Sequence, residues 1–597
     1  MARSFEHFPN LVSMFFTRAA ERGDAPFLWR KHEGQWQPLS WRETAQRVAA
    51  LARALEALGF RPGDRIALVS ENRPEWCIAD LAIMAAGCIT VPTYITNTER
   101  DHLHILENAG ASGVFVSTPK LARALMPAVF QSSRCRTVIG FEPLRIGQQS
   151  GVDMHDAQAL IAGQAPDVAG VAARAAAFRR DDLACIIYTS GTGGAPRGVR
   201  HHHGGILHNV AGCFDIIAND FPQAPEVFLS FLPLSHAYEH SGGQFFPIGI
   251  GGEIYYAEGL ERLASNIAEV KPTVMIVVPR LFEVLRARMT KTIEKQGRAA
   301  GWMLAQSLRL AKLRQLRGGL PLVERPLDAV LGRLFRPRVR QRFGGRIKAL
   351  VSGGAPLNEE VGLFFDALGL TLLQGYGQTE ASPVISCNRP AAGVDLATVG
   401  PPLAGVELRI ADDGEILVRG ELVMHGYWGD EAESTRVLKD GWLHTGDIGQ
   451  IDRCGRLRIT DRKKDIIVND KGDNVAPQRV EGMLTLQPEI HQAMVYGDRR
   501  PHLVGLVVPD AEWAEGWARA HGAAEDIAVL KADAAFQRAV MAAVDRVNAG
   551  LSVIERVRRV TIADEPFTVE NEQLTPSMKI RRHILRTAYA ARLDALY

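Results

Sequence analysis

Ten residues, Thr189-Ser-Gly-Thr-Gly-Gly-Ala-Pro-Arg-Gly198, hold three hydroxyls, four glycines and one cation directly after the apolar run Leu183-Ala-Cys-Ile-Ile-Tyr188. Glycines let a backbone approach phosphate closely, hydroxyls donate hydrogen bonds and a cation neutralises charge. Thr189, Ser190, Gly191, Thr192, Gly193, Gly194 and Arg197 are therefore the candidates for a phosphate-binding loop. The spacing is not the G-x-x-x-x-G-K-[ST] loop of other nucleotide-binding proteins. Further chemistry-bearing segments follow in order. They are Ser352-Gly353-Gly354-Ala355-Pro356, Gln374-Gly375-Tyr376-Gly377-Gln378-Thr379-Glu380, Trp442-Leu-His-Thr-Gly-Asp447, Asp461-Arg462-Lys463-Lys464-Asp465 and Leu574-Thr-Pro-Ser-Met-Lys579.

Taken together, these segments resemble the signature motifs of the adenylate-forming (AMP-binding) superfamily, which includes acyl-CoA synthetases, luciferases and peptide-synthetase adenylation domains. The first loop departs from the family pattern twice: Gly193 stands where a second threonine is usual, and Arg197 where a lysine is usual. The resemblance implies that residues 353–356 and 374–377 enclose adenine, with Tyr376 stacked on it. Thr379 would contact the α-phosphate, Thr189 and Glu380 would ligate Mg2+, and Asp447 and Arg462 would hold the ribose. By the same resemblance Lys464 lies at a hinge and Lys579 is the catalytic lysine of adenylate formation. An aromatic face suits a base, a hydroxyl suits a phosphate and a carboxylate suits a hard cation.

Ser230-Phe-Leu-Pro-Leu-Ser-His-Ala-Tyr-Glu-His240 resembles the family's substrate-side segment, which would put His236 near the carboxylate of the acid. The small and apolar residues that follow, Gly242, Gly243, Phe245, Phe246, Gly249 and Gly251, suit an aliphatic tunnel. The stretch 286–348 is rich in Arg and Leu, and its length and content resemble those of bacterial long-chain fatty acyl-CoA synthetases. Residues 302–312 read as a basic amphipathic helix, and Arg309, Lys312 and Arg314 offer a face for an anionic lipid surface. The acceptor thiol is expected to be CoA, with an acyl carrier protein as the alternative. Gly472, in Asn469-Asp-Lys-Gly-Asp-Asn-Val475, is the candidate for the thiol channel. A catalytically weakened, nucleotide-binding member of the fold is the remaining alternative.

These residues need a scaffold of alternating helices and strands. Residues 41–58 and 75–86 have helical apolar spacing and each stops at a glycine, while 65–70, 113–117, 183–188, 274–278 and 347–352 read as buried strands. After about residue 400 short strands joined by turn residues, 412–414 and 453–455, take over. The expected fold is α/β. Residues 1–461 form a large N-terminal domain of parallel and mixed sheets with a distorted β-barrel-like part, and residues 462–597 form a small mobile α+β C-terminal domain. Hydrophobic residues at 46%, charged residues at 23% and a formal net charge of +2 describe a globular chain without the field that nucleic acid binding demands. Seven scattered cysteines without a C-x-x-C pair fit a reducing, cytoplasmic setting, with peripheral membrane contact as an option.

Overall fold

A computed structural model of the chain describes residues 5, 7–144, 151–189, 195–463, 465–575 and 579–597, without the side chain of Glu294. Ser190, Gly191, Thr192, Gly193, Gly194 and Lys464 lie outside the described residues.

Two large sheets carry the N-terminal part. In the first, the strand order is Asp153–Asp156, Thr137–Gly140, Gly113–Val116, Arg65–Val69, Ile89–Thr93, Leu183–Thr189 and Arg197–His202. Its neighbours are parallel except the last pair, a hairpin that opens onto the phosphate-loop residues. The second runs Val384–Cys387, Leu372–Gly377, Ala349–Ser352, Val274–Val277, Val227–Ser230, Glu253–Tyr256, Pro26–His32 and Gln35–Ser40, parallel in the middle and antiparallel at both edges. Strands buried on both faces read as unbroken apolar runs, which is why Val274–Val277 and Gly113–Val116 were legible. Helices Leu11–Arg22, Trp41–Ala57, Pro74–Ala85 and His203–Asp220 contribute to a core that also takes Phe115 and Ile187 from one sheet and Phe228 and Ile254 from the other. Ser40 and Glu43 close a reciprocal capping box on the second of these helices, so its start is fixed by sequence.

A third, antiparallel sheet contains Glu407–Ile410, Glu415–Arg419, Trp442–Ile451, Leu438–Lys439 and Leu457–Arg462. Its turns fall at 412–414 and 453–455, where Gly414 (φ 83°) and Gly455 (φ 77°) supply left-handed positions. From Ile467 the chain builds its own core around Val480, Val507, Phe536 and Val544. That region has the strands Ile490–Tyr496, Leu503–Pro509 and Val557–Ile562 and the helices Pro477–Leu484, Ala511–His521, Ala534–Asn548 and Arg582–Ala588. No helix among the described residues is long and apolar enough to cross a membrane.

Candidate active site

A cleft of about 1600 Å3 gathers the motifs. Its floor is made by loops leaving the carboxyl ends of parallel strands, the usual place for a ligand in such sheets. Gly353, Gly354, Ala355 and Pro356 follow Ala349–Ser352 and line it. Gly354 has φ 82°, and a Cβ on Gly353 would lie 2.8 Å from the Tyr238 ring. The Tyr238 hydroxyl donates to the Val351 carbonyl at 3.0 Å, so the turn and the aromatic side chain are locked together.

The strand Leu372–Gly377 delivers the next motif. The Gln374 side chain is turned inward, accepting from the Leu357 amide (3.2 Å) and donating to the Thr398 carbonyl (3.1 Å). Its amide group thus ties the base turn in place, while the residue itself lines the cleft. Gly375 and Gly377 pair with the strand Val384–Cys387, and a Cβ on Gly377 would sit 1.9 Å from the Pro383 carbonyl oxygen. Gly377→Ala must displace backbone at the turn that carries Thr379 and Glu380. We expect a destabilisation of about 3 kcal/mol or more, read as a lower midpoint in thermal or denaturant unfolding.

Tyr376 donates its hydroxyl to Asp447 Oδ2 (2.7 Å), and Arg462 Nε donates to Asp447 Oδ1 (3.0 Å). Asp447 and Arg462 are directly opposed on neighbouring strands, so sheet register makes the pair. Burial and the adjacent carboxylate raise the Tyr376 phenol well above its ordinary pKa. Glu380 Oε1 accepts the Tyr427 hydroxyl at 2.8 Å. Thr189 is opposite Arg197 in the hairpin, and both line the cleft. The Arg197 guanidinium reaches Glu433 (2.5 Å) and, more loosely, Asp430 (3.7 Å), and lies 5.7 Å from the Tyr427 ring centre. Hydrogen bonding from Arg436 and the charge of Arg197 push the Glu433 carboxyl down to about 2.

Lys579 enters the same cleft from the C-terminal region. Two hydrogen bonds tie it to Thr575, whose amide donates to the Lys579 carbonyl (2.8 Å) and whose Oγ1 accepts the Lys579 amide (3.0 Å). Burial and the Arg462 charge lower the Lys579 pKa, against smaller opposing effects of Asp447 and Glu380. His236 accepts the Tyr238 amide on Nδ1 (3.1 Å), which leaves Nε2 as the protonated nitrogen. Burial, helped by the Lys579 charge, brings His236 down to about 4, so it is neutral at physiological pH. The structure therefore brings Thr189, Arg197, His236, residues 353–356, residues 374–377, Thr379, Glu380, Asp447, Arg462 and Lys579 to one cleft. It does not bring Gly472 there: that glycine (φ 87°) occupies an exposed turn between the short strands Ile467–Val468 and Asn474–Val475.

The apolar side of the cleft differs from the sequence expectation. Gly242 and Phe246 line it, but Phe245 is fully buried in the core, Gly249 packs on Val210, Phe5 and Met14, Gly243 faces Glu239, and Gly251 ends a helix with φ 70°. Cys213, Ile216 and Ile217 of His203–Asp220, with Val274 and Ile276, are among the other apolar residues that line it. Sequence reading missed these because they look like any core-facing residues. It also missed Tyr427 and Glu433, whose one signal is the helix-start pattern of Asp430 capping the Glu433 amide (3.0 Å).

The sequence profile of the AMP-binding enzyme family matches residues 15–428, and that of the AMP-binding enzyme C-terminal domain matches residues 464–597. The chain belongs to the AMP-binding enzyme family. Among curated relatives of this family member, the long-chain-fatty-acid–CoA ligase FadD15 of Mycobacterium tuberculosis is 34% identical over 594 residues, covering 98% of this chain and 97% of its own length. The peroxisomal long chain acyl-CoA synthetase 7 of Arabidopsis thaliana is 30% identical, covering 94% and 82%. Among solved structures, the adenylation domain of a carboxylate reductase from Mycobacterium chelonae superposes with a TM-score of 0.75 at 22% identity, covering 99% of this chain and 92% of that one.

Proposed function

We propose that this chain uses ATP to activate a long-chain fatty acid as an acyl-adenylate and then transfers the acyl group to the thiol of CoA, releasing pyrophosphate and AMP. One observation carries the reading: the adenylate-type motifs and an apolar wall share a cleft that also receives Lys579. The names of the two curated relatives support the acid class and the acceptor.

In the first half-reaction a carboxylate oxygen of the acid attacks the α-phosphorus of ATP, and the bond to pyrophosphate breaks. Both partners are anionic, so the chain's contribution is charge and position. His236, neutral with hydrogen on Nε2, orients the acid carboxylate. Residues 353–356 and Tyr376 hold the adenine, and Asp447 exchanges its Tyr376 and Arg462 donors for ribose hydroxyls. Arg197 must leave Glu433 to meet the terminal phosphates, which makes triphosphate binding a competition between two anions. Lys579 neutralises charge on the reacting phosphate. Glu380 and Thr189 offer hard oxygen donors at the cleft, a set that fits Mg2+. Bound there, the ion would supply further charge neutralisation. In the second half-reaction the thiol attacks the acyl carbon and AMP leaves. We place the division between a 1–461 domain and a 462–597 domain at the segment holding Lys464. Rotation there would withdraw Lys579 and bring Gly472 to the thiol's path.

Because the Lys579 pKa is lowered, its charge is lost at a lower pH than that of a free lysine. The adenylation rate will fall on the alkaline side below about pH 10.4, the ordinary lysine value. In Lys579→Arg, whose side chain stays charged, that limb will move to higher pH. A pH–rate profile of pyrophosphate release checks both. The substrate reading is tested with acids from acetate to stearate, ATP, Mg2+ and either CoA or a phosphopantetheinyl carrier protein. Palmitate-dependent pyrophosphate release with palmitoyl-CoA as product is expected. Preference for the carrier would make the chain an acyl-AMP ligase, and absence of acid-dependent release would leave a nucleotide-binding protein.

A contact with anionic lipid also belongs to this reading, and of the face expected from sequence Lys312 is exposed while the two arginines are paired within the chain. Arg309 is paired with Glu324 (2.7 Å), and Arg314 with Asp328 (3.2 Å) and Asp366 (3.6 Å). Exposed apolar residues stand at the end of that helix and just after it: Leu316, in Arg298–Arg317, and Leu322 and Val323, in the short turn Leu322–Glu324, are 74%, 74% and 85% exposed, with Arg317 and Arg325 next to them in the chain. An apolar tip beside cations suits a lipid interface. Changing Leu316, Leu322 and Val323 to serine will abolish co-sedimentation with phosphatidylglycerol vesicles and leave activity on soluble acids unchanged. Equal sedimentation of both proteins would remove the lipid contact.

A further inference from the structure

Asp80 lies in the middle of Pro74–Ala85, a helix buried almost all round, and is itself fully buried. Its Oδ2 accepts two hydrogen bonds, from His240 Nε2 (2.9 Å) and Gln244 Nε2 (2.7 Å), both also fully buried. These donors belong to His240–Phe245, which is wound as a π-helix between the helices Ala237–Glu239 and Phe246–Ile250. Such wide turns are rare and cluster at functional sites, and a sequence adopts one only when something holds it.

The turn is held by all its polar residues. Glu239 Oε1 accepts the Ser230 hydroxyl (2.6 Å), and the carboxylate lies over Gly243, where a Cβ would come within 2.4 Å of it. Ser241 donates to the Ser382 carbonyl (2.9 Å). With residues 239, 240, 241 and 244 drawn away from the cleft, Gly242 and Phe246 are left to form its apolar wall. A Cβ on Gly242 would already be 3.3 Å from Ile276 on the facing strand. Buried carboxylates are costly, and an apolar core would be at least as stable. Among the described residues Asp80 Oδ1, His240 Nδ1 and Gln244 Oε1 have no hydrogen-bond partner, so the cluster is a poor device for stability alone.

We propose that Asp80 is a positioning residue for acyl-chain recognition: through His240 and Gln244 it fixes the π turn and thereby the wall that a long acyl chain must pass. The inference rests on the fatty-acid reading of the cleft and adds a determinant of chain-length preference that never touches substrate.

The test compares Asp80→Asn, Asp80→Leu and Gln244→Leu with the wild-type chain. Asparagine keeps an oxygen that can accept both donors, Asp80→Leu removes it at similar size, and Gln244→Leu removes one donor. Measured are kcat and KM for hexanoate and hexadecanoate, KM for ATP, and thermal unfolding. In both leucine variants KM for hexadecanoate will rise and the hexadecanoate-to-hexanoate ratio of kcat/KM will fall about tenfold, a shift of about 1.4 kcal/mol. KM for ATP will stay unchanged, and Asp80→Asn will restore the ratio to within about threefold. A folded Gln244→Leu protein with an unchanged ratio, or with equal losses for both acids, overturns the proposal. Gln244→Leu decides the matter alone if Asp80→Leu does not fold. Failure of the wild-type chain to activate any fatty acid overturns the functional reading and this inference with it. Activity in the wild type with an unmoved ratio in the variants overturns only the inference.

Discussion

Lys579→Ala will slow formation of the acyl-adenylate by about 10²–10³-fold, the usual loss when one preorganised charge or donor is removed from a developing transition state. Conversion of supplied acyl-adenylate to acyl-CoA will stay near the wild-type rate. The asymmetry follows from where the side chain sits. Lys579 is tied to Thr575 by two hydrogen bonds and shares the cleft with Glu380, Asp447 and His236, where burial lowers its pKa. A charge in such a site interacts more strongly with phosphate than it would in water. The thioester step needs a path for the thiol, and Gly472, the candidate for that path, lies away from the cleft in the same arrangement. One residue is therefore expected to serve one half-reaction. Stopped-flow pyrophosphate release and a separate assay with synthetic palmitoyl-adenylate measure the two steps. Equal loss in both would mean that Lys579 supports the fold or both reactions rather than adenylation.

Gly242→Phe will cut kcat/KM for hexadecanoate by about 100-fold while leaving hexanoate within about threefold, since steric discrimination in an apolar pocket spans about 10–200-fold. Gly242 lies on the wall of the cleft, and the space beyond its Cα is bounded by Ile276. A phenyl ring there must occupy room that a long acyl chain would use. A short acid engages His236 and the nucleotide without reaching it. Loss for both acids alike would place Gly242 at the reacting end of the cleft, and no loss would move the acyl path elsewhere.

The motif residues that meet in the cleft were readable in the sequence because they are chemically singular. Gly353 and Gly377 stand where any side chain would strike Tyr238 or the Pro383 carbonyl, so glycine is demanded and the motif is visible. Asp447 and Arg462 are opposed across a hairpin whose turn, 453–455, announces itself. The acyl half was not readable to the same degree. Cys213 and Ile216 come from one helix and Ile276 from a strand of the second sheet, and all three are apolar like the core residues beside them. Gly243 and Gly249 looked like tunnel residues, but the π turn and the packing of Phe5 and Met14 decide which way each faces, and neither cause is local. The surroundings of the basic helix were unreadable for a related reason: Glu324 and Asp328, supplied from the following segments, pair with Arg309 and Arg314 and leave Lys312 exposed.

The central claim is that the acid is activated by attack of its own oxygen on the α-phosphorus. Hexadecanoate labelled with 18O in both carboxyl oxygens, incubated with the protein, ATP, Mg2+ and CoA, tests it directly by mass spectrometry of the products. The expected result is one 18O atom in AMP, unlabelled pyrophosphate and palmitoyl-CoA retaining one label. Label in inorganic phosphate together with ADP, or palmitoyl-CoA formed without label in AMP, would contradict it.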